Sequence, residues 1–183
     1  MGPSDRDVIS ELIRKLGYHG AIYSRIVEQG KVYDAEYMLR HISQLIRDRA
    51  DISKIIVFPD SECTPIPESK ERADSVIRKL ARKLHKLPIK YVIVDHSLEG
   101  WLLQDEEALK SVIGTGSALS LSTNPEDDCR PADTIRNLFK KHGKSFRKTI
   151  DDKKIAGMID VKLLESRSDT FAQLVSVLRS SNR

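Results

Sequence analysis

Two short apolar runs decide the fold of this chain: KIIVFP at residues 54–59 and KYVIV at residues 90–94. Each run is continuous rather than alternating, which is typical of a strand buried on both faces of a sheet. The stretch between them, residues 69–87, has apolar side chains at helical spacing and is predicted to be an amphipathic helix. The order strand, helix, strand predicts a right-handed crossover and therefore a parallel sheet.

The elements on either side of these runs extend the α/β pattern. A helix is predicted from the capping residues 4–5 to Leu16, a strand at residues 21–27 and a second amphipathic helix at residues 34–49. After Pro131 the pattern is helical, and further helices are predicted at residues 134–142, 153–159 and 170–179. We therefore expect an α/β domain at residues 1–113 and, at residues 114–183, a helical C-terminal extension packed on the same domain.

Composition restricts the class of protein. The 183 residues are 39% hydrophobic and 32% charged, which is typical of a globular chain long enough for one compact domain. No apolar run approaches the ~20 residues that span a bilayer, and the polar N-terminal segment does not resemble a signal peptide. We expect a cytoplasmic protein without a membrane partner, and the few Asn and Gln residues favour a heat-adapted source.

Cys63 and Cys129 lack the spacing of a metal or redox motif, so we expect two free thiols; a disulfide between them is the alternative. The formal net charge of +4 is weakly in favour of an anionic partner such as nucleic acid.

Acidic residues follow the two apolar runs and form the candidate site. Asp60 and Glu62 come directly after the first run and, in extended geometry, would point to the same side. Glu99 follows the second run, and Asp5 stands at the start of the first helix. Ligands bind beyond the carboxyl ends of parallel strands, and carboxylates suit Mg²⁺ or Mn²⁺. The sequence predicts a metal site at Asp5, Asp60, Glu62 and Glu99; solvated loop acids are the alternative.

Three other features of the sequence are candidates for a functional role. His96 has two interpretations, a general base or metal ligand and an ordinary surface histidine. Trp101 is expected in the core, with stacking on a base as the alternative. A basic run is the candidate phosphate-binding segment, in which Lys148 would also stabilise transition-state charge, and a solvated helix end is the other interpretation. The run consists of Lys140, Lys141, Lys144, Arg147 and Lys148.

Several segments resemble the Toprim domain. GPSD at residues 2–5 and IIVFPDSE at residues 55–62 resemble its two acidic motifs, and LEGWLLQDEEALKSVIG at residues 98–114 resembles a Glu-x-Trp-Leu-Leu motif of an uncharacterised OLD/RloB-like branch. The similarity extends over almost the whole chain, because NPEDDCRPADTIRNLFKK at residues 124–141 also resembles that branch. The resemblance implies a Rossmann-like parallel sheet flanked by helices.

The resemblance also assigns roles. It implies that Asp60 and Glu62 stand at the Asp-x-Asp metal ligands, with Glu in place of the second Asp, and that Asp5 and Glu99 match two further family acids. Met1 stands where the family has a Glu. Methionine neither ligates Mg²⁺ nor transfers a proton, so we expect reduced catalysis, and we expect that the first strand of the fold is missing.

The resemblance implies a Mg²⁺- or Mn²⁺-dependent nuclease or other phosphodiester-acting enzyme, with Asp60, Glu62, Glu99 and Lys148 in the chemistry and a role in genome defence. Two alternatives stay open: a non-catalytic nucleic-acid-binding or complex-forming Toprim module, and a phosphohydrolase that acts on a small nucleotide. A homo-oligomer is a further expectation, because a missing strand would expose a sheet edge.

Overall fold

The computed structural model of the chain describes residues 3–28, 30–84, 87–121 and 125–180. In chain order its elements are α1 (Pro3–Lys15), α2 (Ala35–Asp48), β1 (Ile55–Val57), α3 (Ile66–Ala81), β2 (Ile89–Tyr91), α4 (Glu99–Leu102), α5 (Glu106–Ile113), α6 (Pro131–Lys141), α7 (Lys148–Met158), α8 (Val161–Arg167) and α9 (Asp169–Arg179). Within these ranges, no helix combines the length and the apolar character needed to cross a membrane. Met1, where the family Glu was expected, lies outside the described residues.

The two strands pair in parallel, as the apolar runs predict. Ile55 lies opposite Ile89, and Val57 lies opposite Tyr91. The pairing continues beyond the named strands, because the Val94 amide donates to the Pro59 carbonyl at 2.9 Å. The carboxyl ends of both strands therefore meet at one edge of the sheet.

The sheet separates two helical layers, because successive strand side chains point to opposite faces. On one face Ile93 and Tyr91 pack with the buried sides of α2 and α3. On the other face Val92 and Val94 pack with a larger core that contains α1 and the helices from α4 onward. An α/β architecture with a parallel sheet buried on both faces is thus confirmed.

Local capping explains where two of these helices begin. The Asp34 carboxylate accepts hydrogen bonds from the amides of Glu36 and Tyr37, and α2 starts at the next residue. The Asp105 carboxylate does the same for the Ala108 amide at the start of α5. Such a side chain satisfies amides that have no partner within the helix. Asp5 was predicted as a possible cap, but it lies inside the first turn of α1.

Among the places where the structure differs from the sequence-based prediction, two concern the candidate site. Residues 21–27 are described without strand structure, and Ile22 and Ile26 are exposed. A β-propensity pattern becomes a strand only when a neighbouring strand pairs with it, and these residues have no such ladder. The other difference is in the C-terminal part, where α7 begins at Lys148 rather than at residue 153. This earlier start places Lys148 and Asp152 one helical turn apart.

Candidate active site

Lys148 is the centre of the candidate site. Its ammonium lies 2.6 Å from Glu99 Oε1 and 3.3 Å from Asp5 Oδ1. Both carboxylates are almost completely buried, whereas the Lys148 side chain is 46% exposed. Burial opposes the charge of Lys148, but the hydrogen bond and charge of Glu99, together with Asp5, outweigh this effect and raise the lysine pKa. A single cation is thereby held between two buried anions at the protein surface.

The start of α7 fixes the position of this lysine. The Arg147 amide donates to Asp151 Oδ2 at 2.7 Å, which closes the first turn of the helix. Lys148 is the first residue of α7, where the helix dipole disfavours a cation by about 0.3–1 kcal/mol. The contacts with Glu99 and Asp5 offset that cost, so the lysine is placed by its carboxylate partners and not by helix preference.

Asp60 and Asp152 add two more carboxyl groups to the cluster. Desolvation is the main cause that raises the pKa of Asp60 to about 7, and the charges of Asp5 and Glu99 raise it further. The pKa of Asp152 is raised to about 8 by desolvation and then by the negative charge of Glu99. Within the described part of the chain, Asp60 Oδ1 and Asp152 Oδ1 are buried without a hydrogen-bond partner.

These four acids and Lys148 are called the acidic cluster below. It contains Asp5, Asp60, Glu99, Asp152 and Lys148. Among the residues that the structure describes, one ammonium faces four carboxyl groups, so the charges do not balance when all four are ionised. Desolvation is the larger cause of the raised pKa values of Asp60 and Asp152, and this imbalance adds to it, so both carboxyl groups bind protons near neutral pH.

A cavity of about 1180 Å³ opens beside the acidic cluster. Asp5, Asp60 and Lys148 belong to its wall, which continues along β1 and residues 20–28. Four further arginine and lysine residues also line it, namely Arg6, Arg25, Lys54 and Arg72. The cavity therefore offers an apolar wall, several cations and an acidic end.

Glu62 does not lie where the sequence predicted it. Its φ is +49°, so the backbone leaves the extended conformation that would have placed Glu62 and Asp60 side by side. The Glu62 side chain is exposed; the residue lines the cavity, and its charge acts on Tyr33. The geometric reason for pairing these two acids is thus absent.

The structure separates Lys148 from the other four residues of the basic run. Lys148 enters the acidic cluster and lines the cavity, whereas Lys140, Lys141, Lys144 and Arg147 are exposed and are not part of the cavity wall. Lys141 donates to Ser120 Oγ at 3.2 Å. The five cations therefore do not share one wall of the cavity, and phosphate binding by the four exposed ones stays a prediction.

Asp152 was missed by the sequence analysis. The available signal was its position four residues after Lys148, since side chains at this spacing share one face of a helix. Trp101, in contrast, was correctly expected in the core. Its indole is 1% exposed, its Nε1 donates to Thr170 Oγ1 at 2.8 Å, and no face of the ring is open to a base.

A second cluster lies beyond the carboxyl ends of the strands and contains Cys63, His96 and Cys129. The structure joins Cys63 and Cys129 in a disulfide with a Cα–Cα distance of 5.3 Å, so the expectation of two free thiols is wrong. One ligand atom from each of the three residues lies within 4.8 Å of the others. Their spacing in the sequence gave no indication of this arrangement.

Comparison with known proteins gives a family but no described function. No curated protein and no solved structure matches the chain. Residues 2–179 match the family described as a domain of unknown function, DUF4276. This match extends over nearly all 183 residues and includes both strands and every helix of the acidic cluster. The chain therefore belongs to the DUF4276 family.

Proposed function

We propose that this chain is a Toprim-like, divalent-metal-dependent enzyme that hydrolyses phosphodiester bonds in nucleic acid. The observation that carries the proposal is the acidic cluster, in which four carboxyl groups and one lysine meet at the edge where two parallel strands end. Such clusters, with perturbed pKa values beside a cavity, are typical of functional sites.

The donor set of the cluster fits Mg²⁺ or Mn²⁺. All four acids offer carboxylate oxygen, the ligand that these hard cations prefer. The buried oxygens Asp60 Oδ1 and Asp152 Oδ1 lack a hydrogen-bond partner within the described residues, so each has a lone pair to offer. Asp60, Asp5 and Glu99 would hold the ion, with Asp152 beside them. When bound, it would supply positive charge to a phosphate and lower the pKa of a bound water.

Lys148 and Asp152 supply further chemistry from the chain itself. Nearly half of the Lys148 side chain is exposed towards the cavity, so its ammonium can contact a phosphate oxygen while Glu99 and Asp5 orient it. A preorganised cation of this kind stabilises charge that develops in the transition state. The pKa of Asp152, about 8, lets its carboxyl group hold or release a proton near neutral pH, as a general acid or base requires.

The cavity favours a polymeric substrate over a small nucleotide. Its volume of about 1180 Å³ exceeds the roughly 300–1,000 Å³ typical of small-molecule sites. Arg6 and Arg72 provide cations along its wall for a phosphate backbone, whereas the Lys54 ammonium donates to the carbonyls of Val177 and Ser180. These residues take the place that the sequence analysis gave to the basic run.

The test is hydrolysis of single- and double-stranded DNA and RNA with Mg²⁺ or Mn²⁺. Lys148→Ala should lower cleavage about 100-fold or more while it leaves Mn²⁺ affinity unchanged or higher, because a competing cation is removed. Asp60→Asn should lower both Mn²⁺ affinity and cleavage.

Lys83→Ala and Asp74→Asn are matched controls, because both side chains are exposed and lie outside the cavity wall. Cleavage that survives Asp60→Asn would refute the proposal. Release of phosphate from mononucleotides alone would select the small-nucleotide phosphohydrolase. Salt-dependent binding of nucleic acid without cleavage would select the non-catalytic module.

A further inference from the structure

We infer that Cys63, His96 and Cys129 form a binding site for Zn²⁺ when the disulfide between the two cysteines is reduced. This site is separate from the acidic cluster, and the inference does not depend on the proposed function. Two thiolates and an imidazole are a preferred ligand set for zinc, and three protein ligands leave a fourth position open.

The distances fit a tetrahedral zinc ion. Zn–S bonds of about 2.3 Å and Zn–N bonds of about 2.0–2.1 Å place a sulfur and a nitrogen ligand roughly 3.6 Å apart at the tetrahedral angle. Cys129 Sγ lies 3.8 Å from His96 Nδ1. The remaining ligand atom, Cys63 Sγ, lies within 4.8 Å of both partners. After reduction, the two sulfur atoms need only rotate apart on fixed backbones.

A carboxylate lies on the far side of the histidine ring. Nδ1 of His96 faces Cys129, whereas Nε2 lies 3.8 Å from Asp95 Oδ1. This separation is longer than a hydrogen bond, and Asp95 would strengthen the imidazole as a metal ligand when a small side-chain rotation lets it accept the Nε2 proton. The sequence offers this carboxylate at the adjacent position, directly after the second apolar run.

The two loops that carry Cys63 and His96 are fixed to each other. The His96 amide donates to Ser61 Oγ at 2.7 Å, and the Glu62 amide donates to the His96 carbonyl at 3.0 Å. Glu62, Cys63 and His96 all have positive φ, a conformation that non-glycine residues keep only when the surroundings hold it. The ligands are therefore presented by a rigid frame. The exposure of both cysteines admits a reductant and a metal ion.

The disulfide and the zinc site are alternative states of the same atoms. A dithiol reductant transfers two electrons and two protons to the Cys63–Cys129 bond, and the reductant itself becomes a disulfide. Each of the two protein thiols then loses one proton as its sulfur binds Zn²⁺. Oxidised protein lacks both thiolates, so the redox state of the pair controls metal binding.

The test uses Co²⁺ as a spectroscopic probe in the full chain. Protein reduced with dithiothreitol and desalted without oxygen should bind one Co²⁺ with a thiolate-to-cobalt charge-transfer band and the visible bands of tetrahedral cobalt. Added Zn²⁺ should remove these bands, and the oxidised protein should not develop them. This signature requires sulfur ligands and therefore excludes binding at the carboxylates of the acidic cluster.

Variants assign the ligands. Cys63→Ser, Cys129→Ser and His96→Ala should each lose the tetrahedral cobalt spectrum, and Asp95→Asn should weaken metal affinity about 10- to 100-fold. His19→Ala, at an exposed histidine, and Asp60→Asn are the controls that should retain the spectrum. A charge-transfer band that persists in all three ligand variants would overturn the inference.

A second measurement covers unfolding on reduction. If the reduced apo chain loses the far-UV circular dichroism signal of its helices, Zn²⁺ should restore this signal in the parent chain but not in His96→Ala. If it stays folded, Zn²⁺ should protect both cysteines from alkylation. Reduced protein with two titratable thiols that shows neither restoration nor protection nor a cobalt band would refute the zinc site.

Discussion

Replacement of Asp152 by Asn tests the electrostatics of the acidic cluster most directly. The buried carboxyl group of Asp152 is shifted from a pKa of 3.8 to about 8, first by desolvation and then by the negative charge of Glu99. Asparagine has the same shape but no titrating proton. The variant therefore removes the cost of ionising this group and leaves the ion pairs of Lys148 with Glu99 and Asp5 in place.

The sign follows from proton binding. Between pH 3.8 and about 8 the folded chain keeps the Asp152 proton whereas the unfolded chain releases it, so the free energy of unfolding falls as pH rises. Above the folded pKa the contribution is constant. At about 1.36 kcal/mol per pKa unit, the rise in pKa from 3.8 to about 8 corresponds to a loss of at most about 6 kcal/mol in the free energy of unfolding. This shift already includes the opposing charge of Lys148. Because the asparagine amide must itself be buried, we expect a smaller gain, with Asp152→Asn at least about 2 kcal/mol more stable than the parent chain at pH 9.

The assay is urea denaturation between pH 4.5 and 9 in the presence of EDTA, followed by the fluorescence of Trp101. The advantage of Asp152→Asn over the parent chain should grow with pH and nearly vanish at pH 4.5. Asp74→Asn, at an exposed position of α3, should show no such pH dependence. A stability difference for Asp152→Asn that is constant across this pH range would refute the reasoning.

Three further predictions concern the lysine, the metal and a helix start. Lys148→Met should lower the free energy of unfolding by about 2 kcal/mol. This is less than the roughly 3–5 kcal/mol lost when a fully buried ion pair is broken, because the lysine is 46% exposed. An unchanged free energy of unfolding in urea denaturation would contradict the ion pairs. Mn²⁺ at 100 times its Kd should stabilise the chain by about 2.7 kcal/mol. Calorimetry of Mn²⁺ binding at pH 7 should also detect proton release as Asp60 and Asp152 ionise. Identical binding heats in buffers of different ionisation enthalpy would argue against this proton release. Asp34→Ala should cost about 1 kcal/mol, because the amides of Glu36 and Tyr37 lose their acceptor, whereas Asp34→Asn should retain most of the stability.

Local patterns in the sequence were sufficient to predict the two paired strands and most helices. Continuous apolar runs at residues 54–59 and 90–94 became the parallel pair, because strands covered on both faces require such runs. The acids that follow those runs pointed to the correct edge of the sheet, since parallel strands end on the same side. The strand predicted at residues 21–27 failed because its own residues supply propensity but not a partner.

The composition of both clusters was decided by tertiary structure alone. Asp5, Glu99 and Lys148 lie on three different helices, and only the packing of α1, α4 and α7 brings both carboxylates within 3.3 Å of the Lys148 ammonium. Cys63 and Cys129 are separated by 66 residues and have no motif spacing, yet the loops beyond β1 and before α6 join them next to His96. Sequence periodicity reports which face of an element is buried, because burial follows the local repeat of side chains. It contains no information on which distant loops meet, because that depends on how the helical layers pack against the sheet.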